Sequence, residues 1–126
     1  MFEWVNGSAY STIVTLYPGN LTLNRAAASY FDDVKWVMLG IDKSKKQVAI
    51  KPVTKREIDL NLVDKTHLHR ISIGKGYARI SSKMIMQEIS LMVGKAVDGE
   101  KVSAVYSQKD SMLILDMHHL MEEVIE

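Results

Sequence analysis

Residues 21–53 read LTLNRAAASYFDDVKWVMLGIDKSKKQVAIKPV, and the order of local signals within them decides the architecture. Leu21-Thr22-Leu23 alternates apolar and polar, the period of a half-buried strand. Asn24 is a good helix N-cap, and Arg25-Ala26-Ala27-Ala28 has high helix propensity. Tyr30, Phe31 and Val34 then supply an apolar face at helical spacing. Val37 to Ile41 reads as a strand, Asp42-Lys43-Ser44-Lys45-Lys46 as a polar turn, and Val48-Ala49-Ile50 as a return strand that Pro52 ends or leaves at an edge. The unit is a strand, a capped helix and a β-hairpin.

The flanks extend this unit. Thr12 to Tyr17 is rich in β-branched residues and stops at Pro18-Gly19-Asn20, a turn signal, which puts a further strand in front. Residues 54–66 are polar with scattered Leu and Ile, a connector with one helical turn near Lys55-Arg56-Glu57. The order then returns. His67 to Ile73 reads as a strand with an irregularity between Leu68 and Ile71, Gly74-Lys75-Gly76 as a turn, and Tyr77 to Ile80 as a strand. Ser81 or Ser82 caps a helix from Lys83 to Val93, on which Ile85, Ile89, Met92 and Val93 share a face and which Gly94 stops. Val102 to Tyr106 and Met112 to Leu115 form a second hairpin around Gln108-Lys109-Asp110. Leu120, Met121, Val124 and Ile125 recur at helical spacing in the tail, 117–126.

The two halves read as diverged copies, a first repeat over 12–53 and a second over 67–116. A displacement of about 57 positions sets Thr15 on Ser72, Leu16 on Ile73, Gly19 on Gly76, Leu23 on Ile80 and Asn24 on Ser81; one of about 65 sets Val37 on Val102, Leu39 on Ala104, Val48 on Leu113 and Ile50 on Leu115. One half has too few strands to cover its own apolar face. Two halves about a pseudo-twofold axis would share a core, in a swapped-hairpin or barrel-like arrangement whose closure removes exposed edges. The fold class expected is mostly β with short helices (α+β), in a single domain over 1–126; the alternative is an ordinary α+β sheet without duplication.

The segment 21–53 resembles the swapped-hairpin β-fold of the AbrB, MazE and SpoVT group of bacterial transition-state regulators and antitoxin DNA-binding domains. Leu23, Asn24, Arg25, Phe31, Val37, Leu39, Ile41, Val48, Ile50, Lys51 and Pro52 fit that group's order of strand, short capped helix, strand, polar turn and return strand ending Lys-Pro. A chain holding two such units also looks like the MraZ type. Where the group usually has a proline after the strand this chain has Asn24, and the glycine-led loop before the hairpin is replaced by Asp32-Asp33-Val34-Lys35-Trp36. The resemblance implies DNA binding, transcription regulation, a cytoplasmic setting and self-association as a homodimer or higher oligomer.

Composition permits such a role without demanding it. The 126 residues are 47% hydrophobic and 25% charged, which suits one globular domain. Lys plus Arg is 16 against 15 for Asp plus Glu, so no global field draws the chain to an anionic partner, and any attraction must be local. Such a patch is suggested by the charge layout. No acidic residue lies between Glu3 and Asp32 or between Asp64 and Glu88, and Lys65, Arg70, Lys75, Arg79 and Lys83 fall in the second gap. These are the matching front parts of the two repeats. The candidate DNA contacts are therefore Arg25, Arg70, Lys75, Arg79 and Lys83, since a guanidinium grips phosphate or guanine bidentately and a cation at a helix N-terminus is helped by backbone N–H groups. The competing account is that strands hold few acids anyway. Lys43, Lys45, Lys46, Lys55 and Arg56 could touch phosphates, but a solvated hairpin tip is the preferred account of them.

Other chemistry finds less support. The absence of cysteine removes disulfides, thiolate zinc sites and cysteine nucleophiles, and suits a reducing compartment. His67 with His69 would share a strand face, and His118 and His119 stand four residues before Glu122 and Glu123, but neither pair supplies a clear third ligand for zinc. Gly74-Lys75-Gly76 lacks the rest of a phosphate loop, and no serine sits in a nucleophile-elbow context. No cofactor, catalytic centre or membrane span is expected, and the N-terminus lacks the basic start and apolar run of a signal peptide. The second functional expectation is a protein-interaction or dimerisation module with no nucleic-acid binding, docking through the Met84, Met86 and Met92 helix or through the acidic tail.

Overall fold

The computed structural model describes residues 1–2, 11–118 and 120. Eight strands and three short α-helices follow in the order β1 (Ile13–Tyr17), β2 (Asn20–Leu23), α1 (Arg25–Ala28), β3 (Trp36–Asp42), β4 (Gln47–Val53), α2 (Lys55–Asp59), β5 (Leu68–Gly74), β6 (Tyr77–Ser81), α3 (Lys83–Val93), β7 (Glu100–Ser107) and β8 (Met112–Asp116). The strands close into a barrel in the order β1-β2-β6-β5-β3-β4-β8-β7, every pairing antiparallel. Hairpins from the first and second halves of the chain alternate around the ring. Closure between β1 and β7 leaves no unpaired sheet edge to aggregate.

Alternation along each strand decides what enters the barrel. Val14 and Leu16, Leu21 and Leu23, Ala78 and Ile80, Val48 and Ile50, and Leu113 and Leu115 point inward, and Val14, Leu16, Leu21 and Leu23 are wholly buried. Phe31, on a 3₁₀ turn directly after α1, is also wholly buried. One contiguous core joins all of these to Met86, Ile89 and Val93 of α3. No charged or polar side chain is buried among the described residues, so burial of apolar area is the dominant stabilising term.

Several expectations shift by physical causes visible in the packing. Pro52 does not end β4, which runs to Val53 with Pro52 opposite Val37. Lys46 accepts from the Met117 N–H on the β8 side, so by alternation the Pro52 nitrogen also faces that side, where pairing with β8 has stopped at Ile50. No ladder bond is lost. The irregularity in β5 is a change of partner: Leu68–Arg70 pair with β3 and Ile71–Gly74 with β6; Ile73, opposite buried Ala78 next to the turn, is 45% exposed. The buried stripe of α3 is Met86, Ile89 and Val93, with Ile85 and Met92 at its margins, so Met86 is core and, of the apolar residues, Met84 and Leu91 face outward. Tyr30 lies on the surface, stacked on Tyr106 with ring centroids 4.4 Å apart. Ser82, not Ser81, caps α3, and Gly94 ends it in the left-handed region at φ 80°. Of the two turn glycines only Gly76 needs positive φ, at 82°. The tail helix expected over 117–126 lies outside the described residues apart from Met117, His118 and Leu120.

Candidate nucleic-acid interface

The front of the barrel is the four-stranded surface β1-β2-β6-β5, and its strands contain no acidic residue. Their registers line up Thr15 with Thr22, Thr22 with Arg79, and Arg79 with Ser72, while β7 adds Lys101 opposite Thr15. Each of the five is next to a buried residue of its strand and therefore points outward. At about 4.8 Å per strand, this row of cations and hydroxyls spans roughly 19 Å. The Thr22 hydroxyl donates to Asn20 Oδ1 at 2.9 Å. The Arg79 guanidinium carbon stands 5.9 Å from the Tyr77 ring centroid, a cation–π contact that steadies it on the surface.

Two hairpin turns frame the row. A Cβ on Gly74 would collide with the Tyr77 ring, so the glycine lets that ring lie flat across the β5–β6 turn. Arg25 Nε approaches to 3.9 Å of the position a Cβ on Gly76 would take, and Lys83 Cγ lies at the same distance from the corresponding point on Gly19. Each helix start therefore sits beside the other half's turn. Asn24 fixes the first of these starts: its Oδ1 accepts from Ala27 N at 3.0 Å and Ile13 N at 3.1 Å, and its Nδ2 donates to the Ser11 carbonyl at 2.7 Å. Ser82 fixes the second, its hydroxyl accepting from Ile85 N at 3.3 Å while its own N–H donates to the Gly19 carbonyl.

All five sequence-predicted contacts, Arg25, Arg70, Lys75, Arg79 and Lys83, are exposed. Arg79 stands at the centre of the row, Lys75 on the β5–β6 turn, and Arg25 and Lys83 beside the turns. Arg70 pairs with Trp36 at the joint with β3 and shares a cleft with Asp32 and Asp33; Asp32 also reaches the cleft beside Arg25. These carboxylates weaken the field at Arg25 and Arg70 and leave Arg79 as the least opposed guanidinium. With only four residues, α1 brings little helix dipole to Arg25, whereas α3 has eleven. Thr15, Thr22 and Ser72 were not named as contacts from the sequence, because hydroxyl residues in strands look like ordinary β-formers, nor was Lys101, which only register brings beside Thr15.

Of the groups with displaced pKa, Asp42 and Asp64 lie outside the strands of this face and His69 is in β5 next to Arg70. The Lys45 N–H and the Ser44 hydroxyl hold Asp42 below the usual carboxylate range, and the Thr66 hydroxyl and N–H do the same for Asp64. Burial, and then the His67 charge, push His69 below the ordinary imidazole value. His67 closes a 3₁₀ turn with His69 already in β5, so the two do not share a strand. His118 hydrogen-bonds Asp116, and His119 lies outside the described residues. Among the described residues no three His, Asp or Glu gather as metal ligands, and no helix is long and apolar enough to cross a membrane. Lys43 pairs with Glu88 at 3.7 Å, both exposed. Comparison with family profiles, with curated proteins and with solved structures gives no match for this chain.

Proposed function

We propose that this chain is a DNA-binding transcriptional regulator that sets the β1-β2-β6-β5 surface against the duplex. The observation that carries the reading is the outward row Lys101–Thr15–Thr22–Arg79–Ser72 on strands that, apart from Glu100 at the start of β7, hold no carboxylate. Hydroxyls and guanidinium are phosphate-binding groups, and arginine also reads guanine edges. Lys75 and Lys83 extend the contact, with Arg25 and Arg70 at its borders. The protein then works in the cytoplasm, without a cofactor.

The reading includes a duplicated, swapped-hairpin architecture of the AbrB and MraZ kind. Its support is topological. Exchanging β1–β4 with β5–β8 leaves the ring order unchanged. The same exchange turns the pair Leu21–Ile80 into Leu23–Ala78, and Ile50–Leu113 into Val48–Leu115, both present. One junction departs: Lys101 opposes Thr15, yet Trp36 opposes Arg70, two residues from Ser72. Divergence of the two helix-to-strand loops accounts for such a slip.

A gel-shift titration with mixed-sequence duplex tests the function. A shift at low salt is expected, with affinity falling steeply as salt rises. Arg70→Ala with Arg79→Ala weakens it without unfolding the chain. Unchanged binding by that double variant removes this face from consideration.

A second reading, self-association, is favoured by the back of the barrel. Gly40, Ala49, Ile114 and Val105 stand side by side across β3, β4, β8 and β7, facing outward. Val105 is 71% exposed. The occupant this row suits is a second copy of the chain: an uncharged row with two small members lets identical sheets approach closely without opposing like charges.

A further inference from the structure

We infer that the cleft between α1 and the β5–β6 turn receives one unpaired nucleobase, guanine by preference, from a strand whose phosphates lie on the front face. The inference rests on the DNA-binding reading above and adds to it the form of the ligand.

The cleft holds about 180 Å³ and reaches the front face at Tyr77. That is less than the ~300 Å³ at which pockets for whole small molecules begin, and it suits a single ring system. Ala28, Ile73 and Tyr77 give it apolar walls. Ile73 is 45% and Tyr77 41% exposed, so two large apolar side chains keep open surface there. Gly74 lets the Tyr77 ring lie over the turn, where a Cβ would collide with it. An exposed aromatic ring of this kind is what an unpaired base stacks on.

The polar lining is Arg25, Ser29 and Asp32. The Ser29 hydroxyl already donates to the Ala26 carbonyl at 2.6 Å, which leaves a guanidinium and a carboxylate to meet a ligand. Guanine answers both. Its O6 and N7 accept from a guanidinium, and its N1–H and N2 amino group donate to a carboxylate. Adenine presents a bare acceptor at N1, which a carboxylate repels. Asp32 thereby gains a role: the carboxylate that weakens Arg25 as a phosphate contact is an acceptor for a base edge. In a duplex the N1–H of guanine is engaged by cytosine, so the base enters only when unpaired or extruded. Its backbone stays on the front face. The Arg79 guanidinium carbon stands 5.9 Å from the Tyr77 ring centroid, so a phosphate on Arg79 is within one nucleotide of a base on Tyr77.

Fluorescence anisotropy at low salt tests this with labelled thymidine strands carrying one central guanine or one central adenine, and with a blunt mixed-sequence duplex. The wild-type chain is expected to bind the guanine strand about tenfold more tightly than the adenine strand. Asp32→Ala brings that ratio to about one; the ratio is the readout, because loss of a carboxylate strengthens binding to every strand. Tyr77→Leu weakens both strands by about tenfold with the salt slope unchanged, since stacking releases no counterions. Equal binding of the two strands by the wild-type chain, a guanine preference that survives Asp32→Ala, or full strand affinity in Tyr77→Leu each overturns the inference. Binding of the duplex in those cases leaves the DNA-binding reading standing. No binding of duplex or strand by the wild-type chain overturns both.

Discussion

The Asn24 amide oxygen accepts the Ile13 N–H at 3.1 Å as well as the Ala27 N–H it caps, so one side chain joins the start of α1 to the first residue of β1. The side-chain NH2 adds a third bond, to the Ser11 carbonyl. A proline at this position supplies none of these. The chain's departure from the resembled pattern thus has a structural reason: the cap is also the clasp of the barrel's first strand.

Asn24→Ala is expected to destabilise the protein by about 1–2 kcal/mol, the upper part of the range for cap removal, because the Ile13 and Ser11 bonds go with the cap. Asn24→Ser keeps a capping oxygen but is too short to hold β1, and falls between. Urea denaturation of the three proteins measures this. Equal loss for Ser and Ala would mean the cap itself contributes nothing.

Among the described residues Phe31 is the largest side chain with no exposure, held on the 3₁₀ turn after α1. Phe31→Ala leaves a cavity in the single core and is expected to cost about 3–5 kcal/mol. Phe31→Leu retains most of the volume and costs less. Thermal unfolding followed by circular dichroism separates the two; similar melting temperatures for Ala and wild type would show that the ring is dispensable.

Strand identity was legible because burial alternates with period two. Leu21, Leu23, Val48, Ile50, Leu113 and Leu115 all point where the alternation puts them. Ring order was not, since pairing between β2 and β6 or β4 and β8 leaves no trace in either local sequence. The same reason hid the candidate site's centre. Thr15, Thr22 and Ser72 are scattered along the chain, and only register brings them beside Arg79. Ile73 alternates with Ile71 and opposes buried Ala78, yet beside the β5–β6 turn it is 45% exposed, which alternation alone does not announce. On α3, Ile85 and Met86 are adjacent, and helical periodicity alone does not choose between two neighbouring apolar residues; contact with the barrel selects Met86.

His69 offers a pH test. Burial is the first cause of its depressed pKa, so in the folded chain it releases its proton below the unfolded value of about 6.5. Between those two pKa values the unfolded state binds more protons, and stability rises with pH. The contribution is full above the unfolded value and is lost as pH falls through the folded one. NMR titration should place the His69 midpoint below that of a free imidazole, and His69→Gln should flatten the stability profile across that window. A profile as steep in His69→Gln as in wild type would assign the dependence to another group.

On the back of the barrel the self-association reading makes a demand of its own. Ile114 lies between Ala49 and Val105 in the outward row, and Lys51, the nearest cation on β4, turns its ammonium to the Asp110 carbonyl at 3.0 Å. Two copies meeting here would bury Ile114 near the middle of the contact, where a charge without a partner is costly. Ile114→Lys should then weaken association at least about tenfold, equivalent to about 1.4 kcal/mol, while the surface position leaves folding unaffected. Sedimentation equilibrium over a concentration series measures it. A wild-type chain that stays monomeric at every concentration, or an Ile114→Lys chain that associates as well as wild type, takes the back face out of the account and leaves the front one to stand or fall by its salt dependence.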